Sequence, residues 1–305
     1  MVNPIRLYCI CLFSLGMFKV SPGIAQNYID LFRADYTGST GNAFEPGPGT
    51  SNIREWLVDA NIPVPISKNN TILTGFQFEH IRVSVYPQEQ AVAVKTLGLK
   101  LSLNQRYSNK WSGSYFLFPK FASDLQRYKS ADFQFGIAVL FKLTQQENLH
   151  FKFGALYNTD LFGPFVTPLL GLYFQQAKWE ANVLLPSMVD LNYRLVAALK
   201  VGLRFNGMIK SFNLNTNFNG MQQYLARANN EIGGYLAWSF GKVHLIGMIG
   251  YSIGRSYRTY ARDDRINLGL SAIRLGDDRT QLNPDFKDGL VYKLSVLYRL
   301  NTGAQ

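Results

Sequence analysis

The chain has 305 residues, of which only 17% are charged while 14% are aromatic, and its formal net charge is +11. Few charges and many rings, at a mean hydropathy of −0.05, argue against a soluble secreted enzyme, and the lack of long apolar runs after residue 25 argues against a helical membrane protein. No basic cluster or binding motif accompanies the positive charge, which argues against nucleic acid as a partner.

Residues 1–25 read as a signal peptide. Arg6 precedes an apolar run from Leu7 to Phe18, and Gly23-Ile24-Ala25 places small residues at −3 and −1 of a cleavage site. Cleavage there starts the mature chain at Gln26 and leaves 26–305 as one domain. Arg6 and Lys19 depart with the signal, lowering the formal charge to about +9. Cys9 and Cys11 depart too. A chain of about 280 residues without disulfides must then be held by its own core or by a closed sheet.

The remaining chain alternates apolar and polar residues. Leu97, Leu99, Leu101 and Leu103 interleave with Gly98, Lys100, Ser102 and Asn104, a dyad rhythm that writes a transmembrane strand with one face to lipid. Such alternation bounded by turn residues predicts about fourteen strands, near 28–36, 53–66, 71–86, 93–106, 111–119, 131–144, 149–157, 165–175, 179–185, 190–205, 208–216, 231–240, 243–257 and 288–300. Twelve is the alternative if two weak segments within 179–216 merge. Short turns, among them Asn206-Gly207 and Gly241-Lys242, alternate with long connections at 38–52, 120–130, 217–230 and 258–287. That asymmetry predicts an all-β, antiparallel up-and-down barrel with short periplasmic turns and longer extracellular loops. A soluble sandwich also alternates. Against it, Tyr107, Trp111, Trp179, Trp238 and Phe240 all flank short turns, as an interfacial aromatic girdle does.

Lys110-Trp111 leads to Pro119 much as Lys178-Trp179 leads to Pro186. The terminal segment Lys287 to Leu294 is similar to the barrel-assembly signal of last strands, with Gly289, Tyr292 and Leu294 in the diagnostic positions. On these hairpins and the closing Tyr292 to Leu300 strand, the chain resembles an uncharacterised family of outer-membrane β-barrels, a domain of unknown function in Gram-negative bacteria. The resemblance implies outer-membrane lipid and the barrel-assembly machinery as partners, and no assigned chemistry.

Three histidines are available, His80, His150 and His244. A phase shift from Phe78 to Ile81 suggests a bulge at His80. His150 and His244 follow short turns, far from the outer loops. With no hydrolase, zinc or phosphate-loop motif, the reading is a protein with no enzymatic activity, cofactor or metal. The acidic pairs Asp263-Asp264 and Asp277-Asp278 each have an adjacent arginine, which favours salt bridging over a calcium site. Ile266 to Ile273 is predicted as an extra short strand in that loop.

The inward phase carries the functional expectation. It contains Arg33, Lys100, Arg106, Lys142, Lys152, Arg194, Lys200, Arg204, Lys293 and Arg299 against Asp35, Glu55, Asp59, Glu79, Glu180 and Glu231. A positive wall suits a porin-like passive channel or small-solute transporter with a preference for small anionic solutes. The alternatives are a non-conducting structural or binding barrel acting through its loops, and a transporter of hydrophobic compounds, the last hinted at by inward Leu140, Leu156, Leu184 and Tyr235.

Overall fold

The protein is represented by a computed structural model that describes residues 28–87, 89–127, 129–218, 221–271 and 273–301. The expected signal segment lies outside the described residues.

The strands are β1 (Tyr28–Glu45), β2 (Thr50–Pro65), β3 (Asn70–Val83), β4 (Val92–Arg106), β5 (Trp111–Ser123), β6 (Phe133–Gln146), β7 (Leu149–Asp160), β8 (Gly163–Gln176), β9 (Trp179–Leu185), β10 (Met188–Val196), β11 (Leu199–Phe218), β12 (Met221–Phe240), β13 (Val243–Ser252), β14 (Ser256–Ala261), β15 (Leu268–Leu270), β16 (Ile273–Leu275), β17 (Asp285–Phe286) and β18 (Leu290–Asn301). From β1 to β13 each strand pairs antiparallel with the next; β13 pairs with β18 and β18 with β1. This closes a 14-strand transmembrane barrel, and closure pairs the backbone groups of the wall strands with one another around the circumference. β14 prolongs β13 along β12, and β17 prolongs β18 along β1.

The alternation sets the faces. Leu97, Leu99, Leu101 and Leu103 stand outward and exposed, while Gly98, Ser102 and Asn104 between them are buried inside. At the turn end Tyr107, Trp111, Trp179, Trp238 and Phe240 all point outward. At the closing seam Tyr292 lies across Gly38, where a Cβ would overlap its ring; Leu294 points outward beside it.

The loop end departs from the sequence reading. The segments 38–52 and 217–230, read as long loops, are largely strand, because β1, β2, β11 and β12 rise beyond the membrane, whereas in 120–130 β5 extends only to Ser123 and a loop follows. Asn206-Gly207 is no turn: Gly207 sits inside β11, and the reversal falls at 197–198 between β10 and β11. His80 marks no bulge either, since β3 runs in unbroken register with β2 and β4 through Ile81 and Val83. What changes there is the environment. Ile81, Val83 and Val94 keep the inward phase but enter an apolar core, so the alternation inverts with no slip of the chain. The predicted strand within 266–273 is a small hairpin, β15–β16, whose β15 adds in parallel to the upper edge of β8.

That core exists because the wall is uneven. β9 and β10 are short, so β8 above Leu170 and β11 above Asn206 have no wall neighbour between them. The upper half of β11 folds inward and meets the end of β5, with Asn213 in parallel register with Ser123. A smaller ring of β1–β5, β11, β12, β14 and β17 results. Its centre is occupied by Phe44, Ile53, Ile81, Val83, Val94, Phe212, Leu214, Leu225, Tyr257 and Phe286.

Candidate functional site

Inside the barrel, most charges are matched. At the turn end Lys200 bonds Glu180 at 2.9 Å, Arg204 bonds Asp190 at 2.7 Å, and Arg299 bonds Asp30 at 2.6 Å. Tyr235 leans across Gly202 and donates to Asp190 at 2.6 Å, with the Arg204 guanidinium over its ring. Higher up, Lys100 bonds Asp59, Arg33 bonds Asp35, and Lys293 approaches Glu231 at 3.6 Å. Under the inner ring, buried Arg227 joins Glu55 and Glu79, and Lys210 reaches Glu79 at 2.9 Å. The inward assignment from the dyad phase included Arg33, Lys100, Lys200, Arg204, Lys293 and Arg299 with Asp35, Glu55, Asp59, Glu79, Glu180 and Glu231, but it omitted several partners. Asp30 is turned inward by a bulge before Phe32, and Asp160, Asp190, Lys120, Lys210 and Arg227 lay in segments read as loops, outward phase or strand ends. The omitted residues are three acids and three bases, so the formal excess of positive charge on the wall is unchanged, but most of its charges are paired.

A row of basic residues crosses β4–β7. Lys142 and Lys152 are direct register partners on β6 and β7, and Arg106 lies in the same row through Ser112. Lys152 donates to Asn182 at 3.2 Å. Arg194 lines a separate turn-end cavity of about 290 Å³ with Tyr28, Tyr173 and His244.

A cavity of about 1050 Å³ lies within the barrel. It runs between the inner faces of β6–β8, through Gly136, Leu156, Asn158 and Thr167, and the folded-in β11–β12 hairpin at Met208, Ile209 and Ala228. Pro186 and Ser187, at the tip of the β9–β10 hairpin, form its sill, and Ser271 and Arg274 lie on its upper side. The lining is mixed: Phe118 and Phe165 stand beside Lys100, Lys120, Lys210, Arg258, Arg274 and Asp285. The sill is low. Six residue steps from Trp179 to Leu185, at roughly 3.3 Å each and tilted about 40°, rise about 15 Å, against an apolar band about 25 Å tall. The tip of the β9–β10 hairpin therefore stands at the level of the lipid tails.

The histidines are dispersed. His80 points outward, His150 stacks on Tyr173 at 5.6 Å inside the lumen, and His244 Nδ1 shares a 2.7 Å hydrogen bond with Ser239 Oγ. Among the described residues the His244 ring has no carboxylate hydrogen-bond partner, since Asp30 is engaged by Arg299. Among the described residues no group of three or more His, Cys, Asp and Glu side chains is placed to hold a metal. Three acidic residues of the outer loop are engaged instead: Arg258 grips Asp285 with two 2.9 Å bonds, Arg279 bonds Asp277 at 2.7 Å, and Asp264 accepts from the Thr280 backbone at 2.8 Å.

A family described as a domain of unknown function (DUF6268) matches residues 60–265. The chain belongs to that family. The matched span contains the short β9–β10 hairpin and the inward β11–β12 hairpin, so both features lie in the family's own segment. No curated protein matches the chain in sequence. Among solved structures it is similar to an outer membrane channel from Pseudomonas putida F1 at 10% identity, covering 93% of this chain and 98% of that one with a TM-score of 0.44. The translocator domain of the autotransporter NalP from Neisseria meningitidis matches at 11% identity over 97% and 95% of the chains, TM-score 0.36. The toluene transporter TodX of Pseudomonas putida matches at 8% identity over 88% of each, TM-score 0.36. These likenesses concern the barrel fold alone.

Proposed function

We propose that the protein is an outer-membrane transporter for small, largely apolar solutes, which pass between the lumen and the bilayer over the β9–β10 sill. The observation that carries this reading is the cavity of about 1050 Å³ bounded by Leu156, Phe165 and Met208 and reaching the wall at Pro186 and Ser187. A pocket of that size, with apolar side chains set among charged ones, accommodates a small organic molecule that carries polar groups. The ionic pairing of the lumen and the apolar centre of the inner ring weigh against a wide, water-filled axial pore, so the basic wall acts mainly in folding. Small anionic solutes are the less favoured cargo. Among the described residues no constellation for proton transfer or hydrolysis is assembled, and the reading is non-enzymatic.

Two assays on the reconstituted full barrel test it. Planar bilayers record ionic conductance, and liposomes record entry of the apolar dye N-phenylnaphthylamine. The expected result is dye entry above that of empty liposomes with no stable conductance steps, and slowed entry in Leu156→Trp. Stable ohmic steps would restore the porin-like reading. Absence of both would leave a non-conducting barrel that acts through its loops.

A further inference from the structure

We infer that the outward face of β2–β4, just above the apolar belt, binds the phosphates of an anionic lipid in the outer leaflet. On this face Arg54 of β2 and Arg82 of β3 are direct register partners, and one row nearer the membrane His80 of β3 stands opposite Lys95 of β4. The two arginines are exposed. Like charges placed directly opposite each other on one sheet face repel, and a phosphate bridging them removes the repulsion.

The protein does not supply the counter-charge. Among the described residues, no ion pair joins Arg54, Arg82 or Lys95 to a carboxylate. The nearest acids along these strands, Glu55 and Glu79, have the opposite phase, face the lumen and are held there by Arg227 and Lys210. Three cations on adjacent strands thus present an unneutralised surface to whatever lies outside.

Depth identifies what lies outside. Trp56, two residues from Arg54 on the same face, packs against Tyr36 with ring centroids 4.7 Å apart, and Tyr36 contacts Tyr292 at 6.1 Å. Beneath them the same face carries Val58, Phe78 and Leu97. Rings at the edge of an apolar band mark the membrane interface, so Arg54 and Arg82 stand about 7 Å further out along their strands, at the height of lipid phosphates. Guanidinium forks match phosphate oxygens bidentately. The ligand class is a membrane-anchored phosphomonoester or phosphodiester, and the inference does not depend on the transport reading.

The test uses the purified full barrel in neutral detergent and a diglucosamine lipid bearing two phosphates, with bound lipid counted by native mass spectrometry. The expected result is binding at least tenfold tighter than that of the dephosphorylated lipid. Arg54→Gln/Arg82→Gln should lose that preference, Arg54→Lys/Arg82→Lys should retain part of it, and Lys110→Gln, at the opposite end, should leave it unchanged. Heat-modifiable gel mobility confirms that each variant is folded. Equal binding of the dephosphorylated lipid, or an undiminished preference in the folded Gln variant, overturns the inference. If inorganic phosphate at matched concentration displaces the bound lipid completely, the site belongs to a free anion and the lipid assignment is overturned.

Discussion

Ser123, the last residue of β5, and Asn213, in the upper half of β11, are parallel register partners across the mouth of the barrel. Asp124 N–H donates to the Asn213 carbonyl at 3.0 Å, and the Asn213 amide donates to Asp132 at 2.7 Å. One link between strands that are far apart around the wall converts the wide barrel into a narrower ring above it, and separates an apolar core on one side from a cavity on the other.

The ion cluster beneath that ring should hold it in place. Arg227 is 1% exposed and bridges Glu55 and Glu79. Arg227→Met leaves two buried carboxylates short of a partner, which costs about 3–5 kcal/mol. The loss is expected locally: amide exchange should accelerate across residues 207–230 while the lower wall stays protected. Uniform protection in the variant would show that the hairpin is held by packing alone.

Packing contributes its own share. Phe212 is fully buried in the apolar core of the ring, and Phe212→Ala should lower stability by about 3–5 kcal/mol. Urea unfolding in liposomes measures this. A loss below about 1 kcal/mol would mean that the core collapses around the deletion or is not close-packed.

The two kinds of lumen cation should respond oppositely to neutralisation. Lys200 is satisfied by Glu180, so Lys200→Gln strands a carboxylate and lowers stability. Lys142 faces Lys152 directly, and Lys142→Gln is expected to raise stability by about 0.2–1 kcal/mol by removing like-charge repulsion. Unfolding midpoints of the two variants in the same bilayer decide the matter; a fall in both contradicts the charge map.

The outer loop should loosen in acid. The hydrogen bond from Arg279 holds the Asp277 carboxyl below the usual carboxylate range, against a smaller desolvation effect, and Arg279 also stacks on Tyr260 at 4.3 Å. For a depressed carboxylate the stabilisation is present above the unfolded-state pKa and is lost as pH falls through the folded one. Amide exchange in Ile273–Leu275 should therefore rise only below about pH 4. Asp277→Asn should make it high at every pH; an acid-dependent rise that persists in the variant would assign the effect elsewhere.

The wall was legible in the sequence because lipid imposes one rule on every second residue. Leu97 to Leu103 and the rings at Trp111, Trp179 and Trp238 obey it, and they give the faces, the turn end and the strand number. The loop end was not legible, because that rule stops where the strands leave the membrane. Ile81 and Val83 enter a protein core there, so a change of neighbour imitates a bulge. Asn206-Gly207 has turn chemistry yet lies in β11, since its backbone pairs with β12. The cavity depends on β9 and β10 being short relative to β8 and β11, and on Asn213 meeting Ser123, a contact that no local pattern encodes.

The inward fold of the β11–β12 hairpin is tested most directly by a disulfide between Ser123→Cys and Asn213→Cys, formed by mild oxidation of the barrel in isolated outer membranes. Val58→Cys/Phe78→Cys, register partners in the wall, serves as the positive control. Near-complete cross-linking of both pairs, read as linked fragments after proteolysis, is the expected result. Cross-linking of the wall pair alone would show an upright hairpin and an open mouth, and would contradict the closed axial path and the side route together.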